Sequence, residues 1–332
     1  MSLLAVAFTD LHAHNYRHFD NDGSRLKNCL EVIDDVYKFA VKNKIELILF
    51  GGDIVDSQQA VPTVVANALM ERMDYWIKQY PDISWLAITG NHDQATRSLY
   101  GSPGVSFLQQ LKIAFPRTFN LIDDSSICLQ SDSYGIPVAV HGIPYYAYPE
   151  HFAKALKDKA KVASVKKGKH ILLIHQTPSG LSNPNIPVDT NVHDPLYDFF
   201  DLVLCGHIHQ GQSITEKFYL MGSPLHRDLG DEGDEKGFWV LDLEQPEETL
   251  TFVTRKGRYP EFRVISGEVP EEYANDYVLK ERTAAEAFIE IGDANIKDFS
   301  SALTPSQLLE NYWKETEGND TELLKTGIAF LK

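Results

Sequence analysis

The chain has 332 residues, enough for about two domains at ~150 residues each, and 43% apolar with 23% charged residues is the make-up of a globular protein with a sizeable core. Lys and Arg number 31 against 47 Asp and Glu, and a net charge of −16 argues against holding DNA by bulk positive charge, though not against an enzyme that brings cations or a basic partner to the phosphates. Three cysteines (Cys29, Cys128 and Cys205) with no CxxC pair exclude a disulfide framework and a thiolate zinc site and fit a reducing cytoplasm, and no apolar stretch approaches the ~20 residues of a membrane span.

The opening run Leu3–Phe8 stops at Asp10 without a basic flank or cleavage site, so it reads as a strand rather than a signal peptide. Leu47–Phe50, Trp85–Thr89, Val138–His141, Ile171–Ile174 and Leu202–Cys205 are equally short, aliphatic and bounded by turn residues, as buried strands are. Between the first three lie helical stripes. Leu26, Leu30, Ile33, Val36 and Tyr37 form one, and Val65, Leu69, Met73, Trp76 and Ile77 the other. Strand–helix–strand alternation of this kind predicts a layered α/β domain over residues 1–245. Phe218–Met221 and Phe238–Leu243 are its last strands, and Gly230–Glu235 between them reads as a solvated acidic turn.

After Glu244-Gln245-Pro246 the pattern changes. Thr251–Thr254, Phe262–Ile265 and Phe288–Ile291 are short strands of a small accessory region, 246–303. Residues 304–332 read as a helical pair: Thr304 is an N-cap, Pro305 fits the first turn and Gln307 completes a capping box. Leu308 with Tyr312 and Leu309 with Trp313 make one stripe, Gly318-Asn319-Asp320 breaks it, and Leu324, Ile328 and Leu331 make a second.

Five motifs fall just past strand ends: Asp10-Leu11-His12, Gly51-Gly52-Asp53, Gly90-Asn91-His92-Asp93, His175, and Gly206-His207-Ile208-His209. Polar residues beyond the carboxyl ends of buried strands converge on the rim where open α/β sheets place their ligands. Asp10, Asp53, His12, His175, His207, His209 and Asn91 are too many ligands for one metal and a natural supply for two, with one carboxylate shared. Imidazole and oxygen without thiolate suits Mn²⁺, Fe²⁺ or Zn²⁺ better than Mg²⁺ or Ca²⁺. A metal pair clamps a phosphodiester and acidifies water. Cys205 and the mid-strand His141 read as core residues, and His14 as a loop histidine.

This ordered set resembles the calcineurin-like metallophosphoesterases over roughly residues 1–245. The resemblance implies a four-layer αββα sandwich with two divalent metal ions, Mn²⁺ foremost. It also implies Asp10, His12, Asp53 and His209 on one metal, and Asp53, Asn91, His175 and His207 on the other. His92 would contact the phosphate or leaving group, with Asp93 orienting it. Protein phosphatases of the superfamily continue the second motif with Arg-Gly, which Gly52-Asp53-Ile54-Val55-Asp56-Ser57-Gln58 lacks. Gly-Asp-Ile-x-Asp is instead similar to SbcD-type nucleases, some of whose relatives carry a catalytic His where Asp56 stands, so Asp56 is a third catalytic candidate.

Gly142-Ile143-Pro144-Tyr145, Gly222-Ser223-Pro224 and Gly237-Phe238-Trp239-Val240-Leu241-Asp242 also resemble the phage-type recombination nuclease subunit. By that resemblance the partners are DNA and an SbcC-like coiled-coil ATPase docked by the helical tail, with a homodimer a further implication. The seven lysines of 154–169 read as a solvated helix face beside a DNA-binding alternative. The leading expectation is therefore a metal-dependent DNA nuclease subunit of an SbcCD-like repair and recombination complex, cytoplasmic and without a membrane span. The alternative is a small-molecule phosphodiesterase or phosphatase of the same superfamily. A third reading, a binding module on a dead fold, predicts missing ligands, and none is missing.

Overall fold

The computed structural model describes residues 3–20, 23–56, 60–94, 106–130, 136–181 and 188–281. The expected strand Phe288–Ile291 and the helical pair at 304–332 lie outside the described residues. Residues 1–264 and 269–279 form one compact unit, which contains every site described below.

In chain order the elements are β1 (Leu4–Phe8), α1 (Ser24–Asn43), β2 (Leu47–Phe50), α2 (Thr63–Gln79), β3 (Ser84–Ala87), α3 (Phe107–Ala114), β4 (Phe119–Leu121), β5 (Ser126–Gln130) and β6 (Pro137–Ile143). They continue with α4 (Pro149–Val165), β7 (Lys169–His175), β8 (Leu202–Gly206), β9 (Gln212–Ser213), β10 (Phe218–Leu220), β11 (Gly237–Asp242), α5 (Pro246–Thr249), β12 (Thr251–Thr254), β13 (Phe262–Ser266) and β14 (Tyr277–Glu281). Two six-stranded sheets result, ordered β12-β11-β1-β2-β3-β4 and β5-β6-β7-β8-β10-β9, with β13 and β14 as a separate ribbon. In the first sheet β1 to β4 run parallel and β11 and β12 close one edge antiparallel. In the second, β6, β7, β8 and β10 run parallel between antiparallel edges.

The period of two along each strand divides the apolar residues between two faces. Ala5, Ala7, Leu47 and Leu49 of the first sheet meet Val138, Val140, Ile171, Leu173, Leu202 and Leu204 of the second in a core between the sheets. On its other face the first sheet presents Val6, Phe8, Ile48, Phe50 and Trp85 to α1 and α2. The second presents Ile143, Leu172, Ile174 and Cys205 to Phe152, Leu156 and Ala160 of α4. Three apolar cores separating helix, sheet, sheet and helix make the αββα sandwich. The α1 and α2 stripes read from sequence are buried in full, from Leu26 to Tyr37 and from Val65 to Ile77.

β4, β5, β9 and β14 go beyond the strands expected from the sequence. They are edge or near-edge strands with few apolar residues, so their hydrophobic pattern is short and their order comes from pairing. In the acidic segment 230–235, Gly230, Glu232, Gly233 and Glu235 are exposed as a solvated turn requires, and Asp231 departs from that expectation. Asp231 is 3% exposed and accepts a hydrogen bond from Lys236 Nζ at 2.8 Å, a lysine itself only 5% exposed. Among the described residues no helix is long and apolar enough to cross a membrane.

Trp85 anchors the first sheet to α1. It is fully buried, lies between Phe8 and Phe119 at ring distances of 5.6 and 5.7 Å, and donates from Nε1 to Tyr37 Oη at 2.8 Å. Trp85→Ala is expected to cost about 3–5 kcal/mol of stability, read as a lower urea midpoint; an unchanged midpoint would contradict the place of this residue in the core.

Candidate metal centre

The loops after β1, β2 and β3 lie side by side because those strands are parallel neighbours, and β7 and β8 bring His175 and the loop with His207 and His209 to the same rim. Backbone bonds splice the first two loops: Gly51 N–H donates to Phe8 O (2.9 Å), Asp10 N–H to Gly52 O (2.9 Å) and His12 N–H to Asp53 O (3.0 Å). Asp10, His12, Asp53 and His207 all hold left-handed backbone, with φ of 54°, 48°, 59° and 83°. Such conformations are unfavourable for residues with a Cβ and persist where the surroundings over-determine them. Gly52, with φ of 101°, backs directly onto Gly90 and the His175 ring, where a Cβ would meet Gly90 N at 2.7 Å and His175 Nδ1 at 2.8 Å.

The structure brings all seven candidate ligands together. His12 Nε2 lies 3.6 Å from Asp10 Oδ1, 3.7 Å from Asp53 Oδ2 and 3.0 Å from His209 Nε2. His175 Nε2 lies 3.3 Å from the same Asp53 Oδ2 and 3.0 Å from Asn91 Oδ1, which is 2.8 Å from His207 Nδ1. Asp53 thus stands between two groups, Asp10 with His12 and His209, and His175 with His207 and Asn91. Remote atoms of the set are tied down: Asp10 Oδ2 accepts from His207 N–H (3.0 Å), and His175 Nδ1 donates to Gly51 O (2.7 Å), turning Nε2 inward.

Charge is balanced inside this nest by imidazolium. Burial disfavours the charged form of His12, but hydrogen bonding and charge from Asp10, Asp56 and Asp53 outweigh it and push the group up to about 9. His175 likewise goes up to about 9 despite burial, chiefly through Asp53. Burial raises Asp10 and Asp53, yet the surrounding imidazoles hold Asp10 well below the carboxylate range and Asp53 at about 2. His207 is pushed down to about 4 by burial and then by the charge of His175.

The residues fit a pair of divalent ions. Asp10 Oδ1 is buried without a hydrogen-bond partner among the described residues. Asp10, His12 and His209 offer ligand atoms mutually within 4.8 Å, as do Asp53, His175 and His207. Two imidazole nitrogens facing each other beside carboxylate oxygens, with an amide carbonyl and no thiolate, form a donor set for a cation of the Mn²⁺, Fe²⁺ and Zn²⁺ class.

The catalytic candidates take different places. His92 N–H donates to Asp53 Oδ1 (2.7 Å), and its Nδ1 donates to the carbonyl of Asp56 (2.9 Å). The orienting partner of His92 is therefore Asp56, where the resemblance had implied Asp93. The Asp93 carboxylate is instead taken by backbone N–H groups of Asp53 (2.7 Å), Ile54 (2.8 Å), Val55 (3.3 Å) and Gly90 (3.0 Å). Burial and then the charge of Asp53 push Asp93 up to about 7, against the pull of those donors.

Asp56 Oδ1 stands 3.1 Å from His12 Nδ1, 3.5 Å from His92 Nδ1 and 3.2 Å from Arg227 Nη2. Arg227 was missed by sequence reading; its signal is a basic residue three positions past Gly222-Ser223-Pro224. Ser223 N–H and Lys236 Nζ both donate to the His209 carbonyl at 2.9 Å, so the acidic segment props a ligand-bearing loop.

His14 lies outside these groups, with its ring edge-on to Tyr16. His141 is a core residue, wired from Ser126 Oγ (2.8 Å) to His170 Nδ1 (3.0 Å) and pushed down to about 3 by burial. Four of the seven lysines of 154–169 are engaged within the chain: Lys154 with Asp158, Lys159 with the Asp124 carbonyl, Lys166 with Cys128 Sγ, and Lys169 with Asp201.

The family model described as calcineurin-like phosphoesterase matches residues 4–211. Among solved structures, TT1561 of Thermus thermophilus is similar at 13% identity and a TM-score of 0.46, over 76% of this chain and 99% of that one. A dimetal phosphatase from Danio rerio is similar at 10% identity and a TM-score of 0.45, with the same coverages. A putative 5'-nucleotidase from Staphylococcus aureus, in complex with alpha-ketoglutarate, is similar at 12% identity and a TM-score of 0.40, over 76% of this chain and 53% of that one.

Because His12 and His175 carry protons near neutral pH in the metal-free site, loading with metal is expected to release about two protons at pH 7–8 and to tighten as pH rises toward 9. Calorimetric titration with Mn²⁺ in buffers of different ionisation enthalpy measures this; a proton-neutral reaction would contradict it. Asp93→Ala leaves four backbone donors without their acceptor and is expected to cost about 2–4 kcal/mol, with lower bound metal. Denaturant titration and elemental analysis check the two effects.

Proposed function

The chain belongs to the calcineurin-like phosphoesterases, and from that premise we propose that this metal-dependent phosphoesterase is a DNA nuclease, acting beside a coiled-coil ATPase of the SbcC type. The observation that carries phosphodiester hydrolysis is the placing of His92. Its backbone N–H is bound to Asp53 and its Nδ1 to the Asp56 carbonyl, which leaves Nε2 for substrate on a side chain 21% exposed, edge-on to His12 at 4.7 Å. A sugar alkoxide is a poor leaving group and needs a proton as the P–O bond breaks. In its protonated form His92 presents Nε2–H for that transfer, which is worth roughly 10²–10⁴ in rate.

Asp10, His12, Asp53 and His209 would hold one divalent ion, Mn²⁺ foremost, and Asp53, Asn91, His175 and His207 the other. Such a pair, when bound, supplies acidified water and neutralises charge on an in-line transition state. The chain's own part is orientation. His175 is fixed through Gly51, His12 is held by Asp56 on its outer nitrogen, and Asp93 sets the backbone that aims Asp53.

DNA as the substrate is supported by where the nuclease-like segments lie. Gly52–Asp56 carries Asp53 and Asp56, Tyr145 lies by the His207 ring at 5.6 Å, and Ser223, after Gly222, bonds the His209 carbonyl. An ATPase partner is supported by the net charge of −16, which leaves the phosphates to cations or a basic subunit, and by the apolar stripe read in 304–332. The same charge favours a second reading, a small-molecule phosphodiesterase or phosphatase, since one nucleotide needs no extended basic surface.

With Mn²⁺, linear DNA is expected to be degraded faster than cyclic nucleotides or nucleotide monoesters. His92→Ala should lower kcat by about 10²–10⁴ while bound metal is retained. Faster turnover of the small esters would transfer the assignment to the second reading.

A further inference from the structure

We propose that Arg227 is a substrate-specificity residue: its guanidinium, held on Asp56 at the His92 side of the metal centre, receives the phosphate next to the scissile one in a DNA strand. This assignment rests on the nuclease reading above and names the contact by which the site would tell a polynucleotide from a single phosphodiester.

The arginine is placed by a built framework. Its N–H donates to Asp231 Oδ2 at 2.7 Å, and its carbonyl accepts from Arg25 Nη2, whose own guanidinium stacks 3.6 Å over the Tyr16 ring. Asp231 is buried and bound by Lys236, and Lys236 also donates to the His209 carbonyl. One buried lysine and aspartate thus fix both the loop of a metal-ligand histidine and the backbone of Arg227. The side chain then turns toward the centre, where Asp56 Oδ1 is shared by Arg227 Nη2 (3.2 Å), His92 Nδ1 (3.5 Å) and His12 Nδ1 (3.1 Å).

The pair joins a buried oxygen, Asp56 Oδ1, to a side chain that is 28% exposed, so the carboxylate end is fixed while the guanidinium keeps an open side. Guanidinium chemistry gives that open side a use. The planar fork of five donors matches phosphate oxygens two at a time, and among the described residues its single acidic partner is Asp56. A carboxylate already sits where an anion is wanted. It holds the fork in place without filling it, as a preorganised phosphate receptor requires. Because His92 shares that carboxylate, the phosphate so held lies on the leaving-group side of the scissile bond.

The test compares the Mn²⁺-loaded full chain with Arg227→Ala and Arg227→Lys on a DNA oligonucleotide and on bis(p-nitrophenyl) phosphate, which has one phosphate. Arg227→Ala is expected to raise KM for the oligonucleotide about ten-fold more than for the small diester, with a smaller effect on kcat. The slope of log(1/KM) against log salt on the oligonucleotide should become shallower by about 0.7–0.9. Arg227→Lys should restore the slope but only part of the KM, because it keeps charge and loses the fork.

Equal changes on both substrates, or no change in KM and slope on DNA, would overturn the assignment. If Arg227→Ala does not fold, Arg227→Lys decides alone: a wild-type KM on DNA would overturn it, and a raised KM with the slope kept supports it. A wild type that cuts DNA while Arg227→Ala cuts it equally well sinks this contact and leaves the nuclease reading standing. A wild type that hydrolyses only the small diester sinks both.

Discussion

One buried carboxylate organises the catalytic face. Asp93 accepts N–H groups from Asp53, Ile54 and Val55 on the loop after β2 and from Gly90 on the loop after β3. It therefore clamps together the two loops that carry Asp53 and Asn91. Asp53 is left with both oxygens free of the backbone of its own loop: Oδ1 takes the N–H of His92, and Oδ2 faces His12 on one side and His175 on the other. Without the clamp, the left-handed backbone at Asp53 would keep only its splice to the loop after β1 and its bond to His92 N–H, and the position of the oxygen shared between the two ligand groups would loosen.

The remaining ligands depend on the sandwich. The residues between the sheets are aliphatic, with Ala5 and Ala7 small enough to bring β1 close to the facing sheet. That packing sets the carboxyl ends of β1 to β3 beside those of β7 and β8, so imidazoles from one sheet meet carboxylates from the other. Electrostatics then reinforces what packing assembled. In the metal-free state His12 and His175 hold protons against burial because Asp10 and Asp53 cannot otherwise share so small a space. Divalent cations held by Asp10, His12, Asp53, Asn91, His175, His207 and His209 would supply that neutralising charge in place of the protons.

Around this nest a second tier of charged residues connects distant segments. Asp56 joins His12, His92 and Arg227, while Lys236 with Asp231 joins the loop of His209 to that of Arg227. The tier gives the open side of the site a direction. His92 and the Arg227 guanidinium both stand at Asp56, and the aromatic ring of Tyr145 stands by His207.

The sequence by itself determined the layers and the ligand inventory. Period-two strands such as Leu4–Phe8 and three-to-four-spaced stripes such as Val65 to Ile77 state which faces must be buried, and seven polar residues at strand ends can converge only on one rim. It also marked His141 and Cys205 as core, since both lie inside strands. Tertiary structure alone decided which carboxylate serves which histidine. Asp93 follows His92 in the chain yet turns to backbone donors of another loop, and the partner of the His92 ring comes from 36 residues away. It also decided that Asp231 is buried and that Arg227 reaches Asp56. Acidic runs read as solvated because charge favours water, and Asp231 is buried because Lys236 meets one of its oxygens and the backbone N–H groups of Arg227 and Asp228 meet the other. Periodicity reports a residue's own environment, whereas a charge buried by pairing reports its partner's position, which no local pattern contains.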